Sequence, residues 1–253
     1  MKTPSSGSKR EGRAAGVAAV ERALRLLGAF DSRRPELTLA ELSQRTGLYK
    51  STILRLADSL ARCGYLQRLS SGKFRIGAQP LRLAALYNAD LHQAEVVMPV
   101  LRDLSARTLE SAALYVIAGD ARLCAYRCRS PKAVTDNVQQ GELLPLDRGA
   151  GGHVLLAFSG RPGQLYDAVR RDKLAVTLGD RDSETAAVAC PVFGPGARLE
   201  GALSLSGPLS RFTPQAVQSS AAHLQDAGRQ LTLLLGGEPG LLCAATSTTR
   251  DEQ

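Results

Sequence analysis

From Val17 onward the apolar residues recur at helical spacing. Val20, Leu24 and Leu27 stand at i, i+4 and i+7, and Phe30 closes the face before Asp31 to Pro35 interrupts it. This predicts a first helix with those residues inward. Thr38-Leu39-Ala40-Glu41 has the form of a capping box, so a second helix starts there with Leu39, Leu42 and Thr46 inward. Gly47 follows and can take the left-handed conformation that stops a helix and turns the chain. A third helix then runs from about Tyr49 to Cys63, its stripe of Ile53, Leu56, Ala57 and Leu60 packing inward. Lys50, Ser51, Thr52, Arg55, Ser59 and Arg62 are left on the outside. Two short strand-like runs around Ser70-Ser71-Gly72 make a hairpin, with Phe74 and Ile76 inward and Lys73 and Arg75 outward.

The remaining pattern alternates between helix and strand. Residues 80–94 continue helically from Pro80, and Val97, Val100, Leu101 and Leu104 form a further stripe. SAALYVIAG and DARLCAYRC read as a hairpin around Gly119-Asp120, and TAAVACPVF and RLEGALSLS as another around Gly194-Pro195-Gly196. The helix GGHVLLAFS lies between them. A long helix begins at Thr213-Pro214 with Val217, Ala221, Leu224 and Leu231 inward. Strands in pairs flanked by helices indicate an α+β fold, and 253 residues suit two domains.

Charge sharpens this division. Residues 1–80 hold 15 Lys and Arg against 6 Asp and Glu, whereas residues 81–253 hold 17 against 18. A basic module on a neutral one points to a polyanionic partner for the first alone. Helices joined by a glycine turn, the last offering short polar and basic side chains, form the helix-turn-helix that seats its second helix in the major groove. The basic hairpin is then a wing, with Lys73 near its tip suited to phosphate. Residues 1–16 read as a disordered basic arm, which either touches phosphate or merely solubilises the chain.

Other chemistry is sparse. No apolar run is long enough to span a bilayer and the polar start lacks the centre of a secretory signal, so a cytoplasmic location is expected. Five irregularly spaced cysteines suit a reducing compartment. Cys124 and Cys128, at i and i+4 of one strand, would share a face and with Cys190 form a metal or redox sensor; the alternative is three small buried side chains. His92, His153 and His223 are scattered, no nucleophile or P-loop signature occurs, and nothing orients His153 towards Ser159. An enzyme fused to the DNA-binding module is therefore disfavoured; no catalytic residue, metal or cofactor is expected.

TLAELSQRTGLYKSTILRLADSLARCGYL with GKFRIG, then LRLAALY, LPLDRGAGGHVLLAF and CPVFGPGARLEGALSLSGP, resembles the IclR family of bacterial transcriptional regulators over residues 17–236. The resemblance implies a winged helix-turn-helix domain (17–79), a linker helix (80–94), a GAF-like effector-binding domain (95–236) and an unassigned tail (237–253), expected to be disordered. It also implies a homodimeric or homotetrameric repressor or activator, with paired recognition helices on a palindromic operator and a small-molecule effector. The effector pocket it implies is built from Gly149, Ala150, Gly151 and Gly152 with Ser204 and Ser206, and Asp182 beside them. A glycine-rich helix start supplies backbone N–H groups for an anion, and two hydroxyls at i and i+2 of a strand share a face, so a small organic or aromatic acid fits. The glycines alternatively make a turn and the serines satisfy buried backbone. Tyr49 stands where the family usually has proline, Thr108-Leu109 where it has Thr-Gly, and Gly152-His153 where it has Gly-Lys; the loop around Asp182 to Thr185 is shorter than usual.

Overall fold

The computed structural model describes residues 16–31, 34–89 and 93–242, and in these the chain divides into a unit ending at Tyr87 and a second beginning at Asn88. The expected basic arm (apart from Gly16), His92 and the last residues of the tail lie outside the described residues.

The first unit contains α1 (Ala18–Leu27), the short strand β1 (Glu36–Leu37), α2 (Leu39–Thr46), α3 (Lys50–Arg62), β2 (Leu66–Arg68) and β3 (Phe74–Ile76). The Thr38 capping box is formed in both directions: Thr38 Oγ1 accepts from the Glu41 N–H at 3.2 Å, and the Glu41 carboxylate accepts from the Thr38 N–H at 2.8 Å. Gly47 ends α2 at φ +70°, a conformation that costs other residues a clash at Cβ. Leu26, Leu37, Leu42, Ile53, Ala57, Leu66 and Phe74 form the core. The antiparallel sheet has the order β1-β3-β2, so the wing has a third strand that two residues of apolar pattern did not disclose.

Helix α1 departs from the expected face. Val17, Val20 and Leu24 are 68%, 54% and 61% exposed, and Leu26 carries the burial instead. Leu27 and Phe30 of the expected face do pack against this core, whereas Val20 and Leu24 face away from it. Helix α4 (Gln79–Ala89) spans the division between the units, and its described side chains from Leu81 to Leu86 are all exposed. Ile76 is likewise partly exposed.

The second unit is built on an antiparallel sheet of order β6-β5-β4-β9-β8-β7, made by β4 (Ser111–Ala118), β5 (Ala121–Cys128), β6 (Leu143–Pro145), β7 (Ala175–Leu178), β8 (Thr185–Phe193) and β9 (Leu199–Pro208). One face is covered by α5 (Gln93–Thr108) and α8 (Pro214–Leu234), with Val97, Leu101, Leu104, Leu224 and Leu231 against Leu114, Val188, Leu203 and Leu205. The other is covered by α6 (Ala150–Phe158) and α7 (Gln164–Asp172), where Ala113, Ala189 and Ala202 meet Val154 and Leu155. Small residues dominate this second face and bring α6 close. A Cβ on Gly152 would lie 2.3 Å from the Leu146 carbonyl oxygen, and one on Gly151 3.1 Å from the Tyr115 ring. The tail is ordered at its start: Pro239–Leu242 forms a 3-10 turn whose Leu242 enters the α5–α8 core. The apolar pair Leu241-Leu242 thus ties down a segment expected to be disordered.

A bulge in β5 reverses its side-chain alternation. Leu114 pairs with Tyr126 but Tyr115 pairs with Cys124, leaving Ala125 without an opposite residue. Residues before and after the bulge point to opposite faces at equal parity. Cys124 therefore joins the α6 face and Cys128 the α5–α8 face, where Cys190 also lies. The expected common face of Cys124 and Cys128 does not exist. Burial pushes the Cys124 thiol up to about 11 and the Cys190 thiol to about 12, and no metal-holding cluster occurs among the described residues. Cys124 and Cys190 are thus buried thiols on opposite faces of the sheet and Cys128 is partly exposed, an arrangement that does not favour the three-cysteine site.

Candidate functional site

In the first unit the site is the outer face of α3. Its entry is fixed by a small network: Ser43 Oγ donates to the Leu48 carbonyl at 2.7 Å, Thr46 Oγ1 donates to the Leu42 carbonyl at 2.6 Å and accepts from the Leu48 N–H at 3.3 Å. Tyr49 is the N-cap, without a side-chain cap bond and 84% exposed. The first-turn N–H groups are thus left to solvent or to an acceptor. Lys50, Ser51 and Arg55 are exposed and Thr52 is half-buried; no acidic residue occupies the first turn. Helix-end partial charge and Lys50 therefore reinforce each other there.

Ser59 and Arg62 lie one and two turns further on. Ser59 Oγ donates to the Arg55 carbonyl and accepts from Arg62 Nη2, both at 3.2 Å, so this pair is held to the helix. Lys73 sits on the wing 3.8 Å from Glu36, a loose exposed pair easily exchanged for a phosphate. All the residues expected to meet DNA are on α3 or the wing of this one unit.

In the second unit a small cavity of about 20 Å³ lies between the start of α6 and the sheet, lined by Tyr115, Arg122, Asp136, Thr177, Arg181 and Ser204 among others. Room for about one water is what such a volume offers. Gly149, Ala150 and Gly151 line it as expected and Gly152 adjoins it; Ser204 and Ser206 share its face of β9. The hydroxyls are engaged within the protein, however. Ser204 Oγ donates to the Val188 carbonyl at 3.0 Å, and Ser206 Oγ donates to Asp136 Oδ2 at 2.9 Å.

Asp182 is not brought to the cavity. It is exposed and caps its own turn, accepting from the Glu184 N–H at 3.0 Å. The same loop instead delivers Asp180, whose Oδ2 accepts from the Gly149 N–H at 2.6 Å and lies 3.0 Å from His153 Nε2. Thr177 Oγ1 accepts from the Ala150 N–H at 3.1 Å. Asp180 thereby orients His153, while the Ser159 hydroxyl donates to the Leu155 carbonyl and stays apart from it. No nucleophile and base are paired here.

Two arginines of the cavity face were not anticipated. Without the bulge Arg122 and Arg127 would face opposite sides of β5; with it both face α6. Arg127 forms a buried ion pair with Asp136, the side chains 3% and 1% exposed. The Arg122 guanidinium lies 4.9 Å above the Tyr115 ring, and burial lowers its pKa. Burial also pushes the Tyr115 hydroxyl up to about 12, so it stays protonated. Two arginines on one short strand were the available signal, but at an odd spacing of five they alternate to opposite faces, and the position of a bulge is not written in alternation.

A winged helix with a polar, basic reading face, on a chain whose other unit closes a polar cavity, is the build of a ligand-sensing DNA-binding regulator. Comparison with known proteins agrees. The IclR helix-turn-helix domain matches residues 19–70, and the bacterial transcriptional regulator IclR C-terminal domain matches residues 163–233. The HTH-type transcriptional regulator KipR of Bacillus subtilis is 24% identical, over 86% of this chain and 96% of its own length. The crystal structure of an IclR transcriptional regulator from a Silicibacter species superposes with a TM-score of 0.75 at 29% identity, over 87% of this chain and 97% of that one. An IclR homolog from Microbacterium hydrocarbonoxydans, solved with 4-hydroxybenzoate, shares the fold at TM-score 0.70 and 23% identity, over 86% and 99%. The chain belongs to the IclR family of transcriptional regulators. It is a DNA-binding regulator of transcription.

Proposed function

We propose that this chain works as a homodimer, or a pair of dimers, whose two α3 helices read the half-sites of a palindromic operator, and that a small organic or aromatic acid in the α6 cavity alters its DNA affinity. The exposed α3 face carries the DNA part: Lys50, Ser51 and Arg55 stand free at the amino-terminal end of a helix without first-turn acid. Arg55 and Lys50 suit guanine edges, Ser51 and Thr52 phosphate or base edges, and Ser59, Arg62 and Lys73 flanking phosphates.

The apolar faces support assembly. Val17, Val20 and Leu24 on α1 and Leu81, Leu83 and Leu86 on α4 are exposed in the single chain, and a helix with apolar residues exposed all round gains stability only when covered. Two-fold pairing through such faces would match a palindrome. For the effector, the backbone N–H groups at Gly149 to Gly152 offer an anion site, and the related protein holding 4-hydroxybenzoate supports an aromatic acid. Ser204 and Ser206 shape the cavity wall; Asp182, being outside it, takes no part.

A gel shift with the DNA upstream of the gene tests the reading. A specific complex is expected, and Arg55→Ala should weaken it by about 1–3 kcal/mol if that side chain reads a base. Unchanged affinity removes Arg55 from the interface. Small acids that raise the melting temperature should change the gel shift; acids that are turned over instead would favour an enzyme.

A further inference from the structure

The polar groups around the α6 cavity do not balance. Among the described residues the buried side-chain polar atoms without a partner are Arg122 Nε, Arg127 Nε, Arg127 Nη1 and His153 Nδ1. All belong to the sheet face that carries the cavity or to the helix above it. Three of the four are guanidinium nitrogens, which only donate, so the deficit is of acceptors. Arg127 at least has Asp136. Arg122 is 4% exposed and, among the described residues, has no ion pair; its neighbours are the Tyr115 ring and the glycine backbone of the α6 start. Native proteins seldom leave a guanidinium buried without an anion, because the desolvation of the charge is then uncompensated.

One anion close enough to act on the Arg122 charge, Asp180, is held at the same helix start. The Asp180 carboxylate accepts from the Gly149 N–H and lies against His153 Nε2, so an internal anion already occupies part of the α6 start. Its side chain remains 38% exposed, so it enters from solvent and can leave again. The cavity at this helix start holds about 20 Å³, too little for an organic acid unless a neighbouring group moves.

We propose that Arg122 makes this chain's effector site selective for a carboxylate, which bridges the Arg122 guanidinium and the Gly149 to Gly151 backbone, and that Asp180 is the internal anion this carboxylate displaces. This rests on the reading of the cavity as the site of an acidic effector and adds the residue that selects its charge and the group it must expel. Planar guanidinium and carboxylate pair through two parallel hydrogen bonds, which a neutral isostere cannot match.

The test uses the full-length chain and its Arg122→Gln and Asp180→Asn variants, titrated calorimetrically with acetate and 4-hydroxybenzoate and with the neutral amides of both. Wild type should bind the acids and not the amides. Arg122→Gln should weaken the acids by about tenfold to a hundredfold, the loss of a charge-assisted contact. Asp180→Asn should tighten them, since the competitor loses its charge. Equal affinity of wild type and Arg122→Gln, acids and amides binding alike, or weaker binding by Asp180→Asn overturns the inference while leaving the effector site standing. Binding of no acid by any of the proteins, with circular dichroism showing them folded, overturns the effector reading itself. If Arg122→Gln fails to fold, the sign of the Asp180→Asn change decides.

Discussion

The ion pair between Arg127 and Asp136 allows a quantitative prediction. Replacing Asp136 by Asn leaves volume and an acceptor but removes the charge that compensates Arg127, whose side chain is 3% exposed and already has Nε and Nη1 unpartnered. The amide has a single acceptor oxygen, so it can serve Arg127 Nη2 or Ser206 Oγ, which both donate to Asp136 in the native chain, but not both. Removing one member of a buried pair costs about 3–5 kcal/mol, and the conserved volume with one retained acceptor places Asp136→Asn near the lower end. For a unit of this size each kcal/mol moves the melting temperature by about 2–4 °C, so a drop of about 6–12 °C is expected. Scanning calorimetry of the full chain suits the measurement, because there is no Trp to report by fluorescence and the two units can melt separately. The double variant Arg127→Met with Asp136→Leu should recover most of the loss, since it removes both charges. A loss below about 1 kcal/mol for Asp136→Asn, or a double variant worse than the single one, would refute the view that these charges are buried together.

Other outcomes follow from the same geometry. Gly152→Ala should destabilise by about 1–3 kcal/mol despite the gain in helix propensity, because its Cβ would lie 2.3 Å from the Leu146 carbonyl; urea denaturation measures this. Thr38→Ala removes the arm in which Thr38 Oγ1 accepts from the Glu41 N–H and should cost about 0.5–2 kcal/mol, read in the unfolding of the first unit. The Cys124, Cys190 and Tyr115 protons are held more tightly in the folded state, with values raised from 9.0, 9.0 and 10.0 to about 11, 12 and 12. Their contribution is therefore complete below pH 9 and lost as pH rises towards 11–12; melting temperatures should fall over that window, and less so in Cys190→Ala. In native protein at pH 8 iodoacetamide should label the exposed Cys63 and spare Cys124 and Cys190, as mass spectrometry of the peptides would show.

Much of the first unit was legible along the chain because its determinants are local. The Thr38–Glu41 box, Gly47 and the Ile53–Ala57 stripe each act within a few residues, and the structure forms all three where they were expected. The polar outer face of α3 follows directly from that stripe. Helix α1 shows where periodicity stops: it identifies Val20, Leu24, Leu27 and Phe30 as one face, but packing decides that Leu27 and Phe30 meet the core while Val20 and Leu24 stay exposed.

In the second unit the strands and helices were readable, but not their neighbours. Sheet order, the β7 edge strand and helix α7 depend on contacts between distant residues, as does the packing of Leu242. The sequence by itself determined a basic winged helix on an α+β module with a glycine-rich helix start, because propensity, capping and alternation operate over short spans. Only the tertiary structure decided that Arg122 and Arg127 share the cavity, that Cys124 and Cys128 do not share a face, and that Asp180, not Asp182, reaches α6. The physical reason is the same in each case: one unpaired residue in a strand, or the length of one loop, inverts or displaces every side chain that follows.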